Sequence, residues 1–157
     1  MEANDGVVYE GQWDANLRHG QGKITWQNGS SYEGEWHKDR IDGQGVFLWP
    51  DGSHYDGKMK NGMRDGIGTM HWTKDGSSYI GNWRQDQRRG KGRMSYSKDG
   101  GVVYEGDFAE NERHGMGVMV WPSGAKYRGE WLRGKRTGQG AYVWPDGSEY
   151  RGSWLNG

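Results

Sequence analysis

No cysteine occurs in the sequence, so disulfides and thiolate-bound metals are excluded. Proline is scarce, at three residues, and the thirty glycines follow no strict Gly-X-Y triplet, which excludes a collagen-type triple helix. Aliphatic residues are few: eight Val, four Leu and four Ile in 157 positions, with only two Phe. No apolar run approaches the roughly 20 residues of a membrane-spanning helix, and no signal-peptide hydrophobic segment follows Met1. Net charge is missing too, because 21 basic and 21 acidic residues cancel. A chain poor in aliphatics is disordered when it also carries a large net charge, and that second condition fails. What is present is aromatic: ten Trp and nine Tyr, each side chain able to bury roughly 150–250 Å². The composition implies an ordered, soluble, cytoplasmic protein with an aromatic core.

These aromatics recur with a period, the signature of a tandem array. A Tyr-x-Gly-x-bulky motif reads YEGQW at Tyr9, YEGEW at Tyr32, YDGKM at Tyr55 and YIGNW at Tyr79. It continues as YEGDF at Tyr104, YRGEW at Tyr127 and YRGSW at Tyr150, with spacings of 23, 23, 24, 25, 23 and 23 residues. A second element follows each of the first six, as in GQGVFLW from Gly43 and GMGVMVW from Gly115. Both alternate with period two, the pattern of strands. Tyr, Gly and the bulky residue share one face of the first strand; Gly, Gly, a bulky residue and Trp or Tyr share one face of the second. Glycine inside a strand signals close approach to the backbone, so rings on one strand are expected to lie over glycines on the next.

The connections fit hairpins. Asn-Gly or Asp-Gly occurs in five of the six links between a second strand and the next tyrosine, such as QNGSS and PDGSH, and these pairs supply positive φ. In the other links, Asn16, Asp39, Gly62, Asp86, Asn111, Gly134 and Gly157 tolerate left-handed geometry. The expected fold is all-β: an elongated single-layer antiparallel meander of thirteen strands built from hairpin repeats. At roughly 4.8 Å per strand it is about 60 Å long, twisted and curved, with an aromatic-lined groove. Residues 1–157 read as one array with repeats starting at Tyr9, Tyr32, Tyr55, Tyr79, Tyr104, Tyr127 and Tyr150. The last repeat is incomplete, so the chain reads as a segment of a longer array.

The combination of YEGxW, Gly-x-Gly and a WPDG-type hairpin at a period of about 23 residues resembles the MORN (membrane occupation and recognition nexus) repeat over residues 7–157. Met59 and Phe108 depart from the pattern by replacing Trp, as does Tyr96; Ile80 replaces the acidic residue after the tyrosine. The resemblance implies a non-enzymatic scaffold for protein–protein contacts in cytoskeletal, ciliary, flagellar or membrane-apposed assemblies. It also implies a partner helix or peptide held in the groove, dimers in some members, and phospholipid association.

The residues assigned to the partner groove are Tyr32, Trp36, Trp49, Tyr55, Trp72, Tyr79, Trp83, Tyr96, Tyr104, Trp121, Tyr127 and Trp131. Repeat four is the most basic, and Arg84, Arg88, Arg89, Lys91, Arg93 and Lys98 form a candidate patch for an acidic partner or an anionic membrane. Met116, Val118 and Val120, opposite the rings in repeat five, form a candidate apolar interface, with Val46 and Leu48 a weaker one. The strands at Tyr9 and Tyr150 are sheet edges and suggest homo-oligomers. No cofactor, metal or catalytic residue is assigned. The five histidines show no HxxxH or HExxH spacing, and the Gly-x-Gly elements lack a P-loop context. Zero net charge argues against nucleic acid. Stacking on sugars would need uncovered rings.

Overall fold

The computed structural model describes residues 6–99 and 101–157. The two alternating motifs become β1 (Val8–Asp14), β2 (Leu17–Thr25), β3 (Ser31–His37), β4 (Arg40–Leu48), β5 (His54–Lys60), β6 (Met63–His71) and β7 (Ser78–Arg84). They continue as β8 (Gln87–Ser95), β9 (Val103–Ala109), β10 (Glu112–Val120), β11 (Lys126–Leu132), β12 (Lys135–Val143) and β13 (Glu149–Trp154). All thirteen lie in one sheet in chain order, the all-β meander that the sequence implies. No helix among the described residues is long and apolar enough to cross a membrane.

Register explains why the largest side chains accompany the smallest. One glycine from each strand falls in a single row across the sheet, from Gly11 opposite Gly22 to Gly140 opposite Gly152. The next row carries the motif tyrosines, alternating with Ile24, Phe47, Met70, Met94, Met119 and Tyr142. Each phenol lies over the glycine row, and a methyl group added to Gly45, Gly68 or Gly92 would collide with the ring above it. Tyr32, Tyr55, Tyr79, Tyr104 and Tyr127 are completely buried in this way, with no second sheet to cover them.

The two glycines of Gly-x-Gly have different duties. Only the second supports a ring. The first sits where the register slips, as between Gly34 and Trp36 in the β3–β4 pair. There Gly20, Gly43, Gly66, Gly90, Gly115 and Gly138 adopt φ values between 55° and 118°, a left-handed conformation suited to glycine at a bulge. The bulge takes the carbonyl three residues past each of the first six tyrosines out of the regular ladder, and the phenol bonds it. Tyr32 donates to the Glu35 carbonyl at 3.1 Å, Tyr55 to Lys58 at 2.8 Å and Tyr104 to Asp107 at 2.8 Å. Carboxylates complete the repair: Glu35, Asp107 and Glu130 accept from the backbone N–H groups of Gln44, Met116 and Gln139.

Indoles then tie one repeat to the next. Trp131 packs edge to face against Tyr127 of its own strand at 5.2 Å and against Tyr104 of the preceding repeat at 5.3 Å. Such pairs add roughly 0.5–1.5 kcal/mol beyond area burial. Trp36, Trp83, Trp131 and Trp154 donate Nε1–H to the carbonyls of Gly22, Gly68, Gly117 and Gly140, at 3.0–3.3 Å.

Within each repeat the turn has both central residues left-handed, as at Lys38 and Asp39 or Arg133 and Gly134, the type I′ geometry of a two-residue hairpin. The links between repeats correct one expectation. In them the Asn or Asp is not left-handed; the glycine after it is, as at Gly29, Gly52, Gly76 and Gly147, and so is Gly124, with φ of 68–87°. The Asn28 and Asp51 side chains instead accept the N–H groups of Ser30 and Ser53, at 2.9 and 2.8 Å, a side-chain cap for which Asn and Asp are suited.

Candidate partner interface

Burial divides the twelve rings assigned to a groove. Tyr32, Tyr55, Tyr79, Tyr104 and Tyr127 have no exposed surface, and Trp36, Trp83 and Trp131 are only 4% exposed. These eight are corrected to interior positions: the glycine row lets them sink onto the backbone, and neighbouring repeats seal their edges. Trp49, Trp72 and Trp121 are half-buried and Tyr96 is exposed. They sit one residue past the ends of β4, β6, β8 and β10, on the margin of the same face. The margin is continuous where an aromatic lies between repeats. Phe47 stands 5.4 Å from Trp26 and 4.6 Å from Trp49, and Tyr142 stands 5.5 Å from Trp121 and 4.9 Å from Trp144.

Arginines are the part of this face that the motif reading missed. Arg18, Arg64, Arg113 and Arg136 place their guanidinium groups 4.3–4.8 Å from the rings of Trp36, Trp83, Trp131 and Trp154. Arg88 lies more loosely among Trp72, Tyr79 and Phe108, at 5.6–5.9 Å. Cations over aromatic faces are attracted by the ring quadrupole. Each arginine also meets the type I′ turn of the following repeat. One Asp39 carboxylate oxygen accepts the backbone N–H and Nε–H of Arg18, both at 2.9 Å, and the backbone N–H bond leads the causes that hold the Asp39 carboxyl below its ordinary range. Asp86 holds Arg64 in the same way, at 3.0 and 2.9 Å. The sequence signal was available: Arg recurs nine residues after five of the tyrosines.

The basic patch of repeat four does not converge on one surface. Arg88 pairs across from Trp83 on the ring face, and burial draws its guanidinium below the ordinary value. Lys91 and Arg93 line the opposite face, where Lys91 binds the Asp107 carboxylate at 2.8 Å. Arg84, Arg89 and Lys98 are exposed, Arg84 ending β7 and Lys98 in the link after β8.

The face opposite the rings holds a depression of about 620 Å³, lined by Ile80, Arg93, Glu105, Met116, Val118 and Arg128 among others. Met116 is 51% exposed there, and Val120 borders the adjoining hollow with Val103. A smaller notch of about 250 Å³ opens on the ring face beside Arg113, Trp121 and Gly134. Among the described residues, no group of three or more His, Asp or Glu side chains is placed to hold a metal.

The profile of the MORN repeat matches residues 9–31, 32–54, 55–77, 79–100, 104–126 and 127–149. No curated protein matches the sequence. Two solved structures from Drosophila melanogaster are similar to it. One is the SAS-4 (dCPAP) TCP domain in complex with a proline-rich motif of Ana2 (dSTIL), at 11% identity and a TM-score of 0.39 over 98% of this chain and 94% of that one. The other is the TCP10c domain of Sas-4, at 10% identity and a TM-score of 0.35 over 94% of this chain and all of that one. Six successive matches, each spanning one Tyr-x-Gly strand, its bulged partner and the link beyond, show that the chain belongs to the MORN repeat family.

Proposed function

We propose that this array is a non-enzymatic interaction scaffold that lays a helix or extended segment of a protein partner along the ring-face margin. The observation that carries the reading is the division of the rings into a sealed interior and an accessible margin of Trp49, Trp72, Tyr96 and Trp121. Trp, Tyr and Arg dominate the energetics of protein interfaces, and here they recur at a fixed interval. Successive margin rings are two strands apart, roughly 9.6 Å, so a partner with side chains at that repeat meets the same chemistry at each step. The reading places the protein with cytoskeletal, ciliary or membrane-apposed assemblies, as its family membership suggests. The split of the basic patch between two faces favours a protein partner over an anionic membrane.

The test replaces Trp72 and Trp121 together with Ser and compares affinity-purified partners with those of the unaltered chain. Loss of a specific partner at unchanged melting temperature supports the reading; an unchanged partner set overturns it. Because the 620 Å³ depression coincides with Met116 and Val118, a second contact on the opposite face is a separate reading. Val118→Glu with no effect on partner binding or oligomeric state removes it.

A further inference from the structure

We propose that the notch beside Arg113 binds a carboxylate side chain from an acidic segment of the protein partner, the group that Asp39 and Asp86 supply from within the chain elsewhere. The proposal rests on the ring-face reading and names the chemistry recognised there.

Equivalent positions in successive repeats differ in what meets the arginine. Arg18, Arg64, Arg88 and Arg113 are met by Asp39, Asp86, Asn111 and Gly134 from the turn of the following repeat. The backbone frame is constant: Asp39 N–H donates to the Arg18 carbonyl at 2.9 Å, and Gly134 N–H to the Arg113 carbonyl at 2.9 Å. What changes is the acceptor. Asp39 and Asp86 each present one carboxylate oxygen to both the backbone N–H and Nε–H of their arginine. Asn111 Oδ1 takes only the Arg88 backbone N–H, at 2.9 Å. Gly134 brings no side chain, so Arg113 has from that turn only the carbonyl, at 2.7 Å, to which Arg18, Arg64 and Arg88 also donate in their own repeats.

The space left by the missing carboxylate is the 250 Å³ notch. Arg113, Lys135 and Arg136 line it together with Trp121 and Trp131, and no acidic residue does. Arg113 is already fixed, 4.8 Å above the Trp131 ring, so little side-chain freedom remains to be lost on binding. A charge-assisted contact to a preorganised guanidinium is stronger than a neutral one. An acidic side chain carried by a segment lying across Trp121 has both an aromatic surface and a cationic end-stop.

Gly134→Asp separates this proposal from a purely structural role. Gly134 has φ of 77°, close to the 66° of Asp39 and Asp86, and an added Cβ meets nothing nearer than Arg113 Nη2 at 3.8 Å. The new carboxylate is expected to raise the melting temperature and simultaneously block the notch. The probe is a short fluorescein-labelled Glu-rich peptide, with its Gln counterpart as control, followed by fluorescence anisotropy. The Glu peptide should bind saturably and the Gln peptide should not. Gly134→Asp and Arg113→Gln should each weaken the Glu peptide by about tenfold or more, the worth of one charge-assisted hydrogen bond. Absence of Glu-peptide binding, or binding that Gly134→Asp leaves unchanged, overturns the proposal. So does sensitivity to Gly134→Asp that appears only with phosphatidylserine vesicles. If Trp72 and Trp121 prove necessary for the native partner but Gly134→Asp does not disturb it, the margin stands and the carboxylate assignment falls.

Discussion

Repeats three and five put Met59 and Phe108 where repeats two, four and six put Trp36, Trp83 and Trp131. All five side chains are equally deep, at 3–4% exposure. Volume over the glycine row is therefore the common demand, and three different shapes meet it. The polar embellishments are not common. Trp36 receives Arg18 on its face and donates to the Gly22 carbonyl. At Met59 the ring and the N–H are both gone, the position of Arg18 is taken by Ile41, and that of Asp39 by Gly62. Phe108 keeps the ring contacts, 5.1 Å from both Tyr79 and Tyr104, but has no N–H to donate. At Met59 the ring, the cation and the carboxylate are absent together, whereas Trp131 keeps its cation without a carboxylate, so ring and cation form a cooperating set laid over a packing scheme able to stand without it.

Breaking the comparison at its strongest point gives the largest effect. Trp83→Ala should cost about 3–5 kcal/mol, as large-to-small core changes do, because it removes the contacts to Tyr55 and Tyr79 and uncovers Arg64. Trp83→Phe keeps a ring and strands the Gly68 carbonyl, so about 1–3 kcal/mol is expected. Urea unfolding of the two variants measures both, and a negligible loss in Trp83→Phe would show that the hydrogen bond contributes nothing. In the constructive direction, Met59→Trp and Ile41→Arg should each change stability little. Together they should show a favourable coupling of about 0.5–1 kcal/mol in a double-mutant cycle, the size of an exposed cation–π contact. Strict additivity would argue against a cooperating set.

The same comparison shows what a reader of the sequence can and cannot see. Strand type, hairpins and the meander were legible because Tyr, Gly and Trp repeat with period two inside a period of about 23 residues, and each level agrees with the others. The sharing of a face by rings and glycines was legible for the same reason. The duty of the first glycine of Gly-x-Gly was not, since a bulge depends on how two strands pair and not on the alternation along either one. The interior position of Trp36, Trp83 and Trp131 was hidden as well. Those indoles are covered by the preceding repeat, and period alone cannot separate them from Trp49, Trp72 and Trp121, which are covered on one side only. The arginine positions were visible as a recurrence, but their meaning required the turn of the following repeat, 21–23 residues on, to be seen beside them.

The smallest effect at neutral pH concerns the tyrosines that flank the two kinds of repeat. Burial pushes Tyr32, beside Met59, and Tyr79, beside Phe108, up to about 12, from an ordinary value near 10. Both folded values lie above the unfolded one, so folding favours the neutral phenol. The stability it contributes is complete below about pH 10 and is lost as pH rises toward 12. The array should hold constant stability from neutral pH to about pH 10. Its phenolate absorbance should then grow together with loss of the circular dichroism of the sheet. Desolvation is the first cause at both, and both phenols lie against the glycine row, at Gly45 and Gly92. Met59→Trp should therefore leave the alkaline midpoint where it is. A shift of that midpoint would assign the phenol's environment to its aromatic neighbours, and the ring-on-glycine packing would then be secondary to the ring-on-ring contacts.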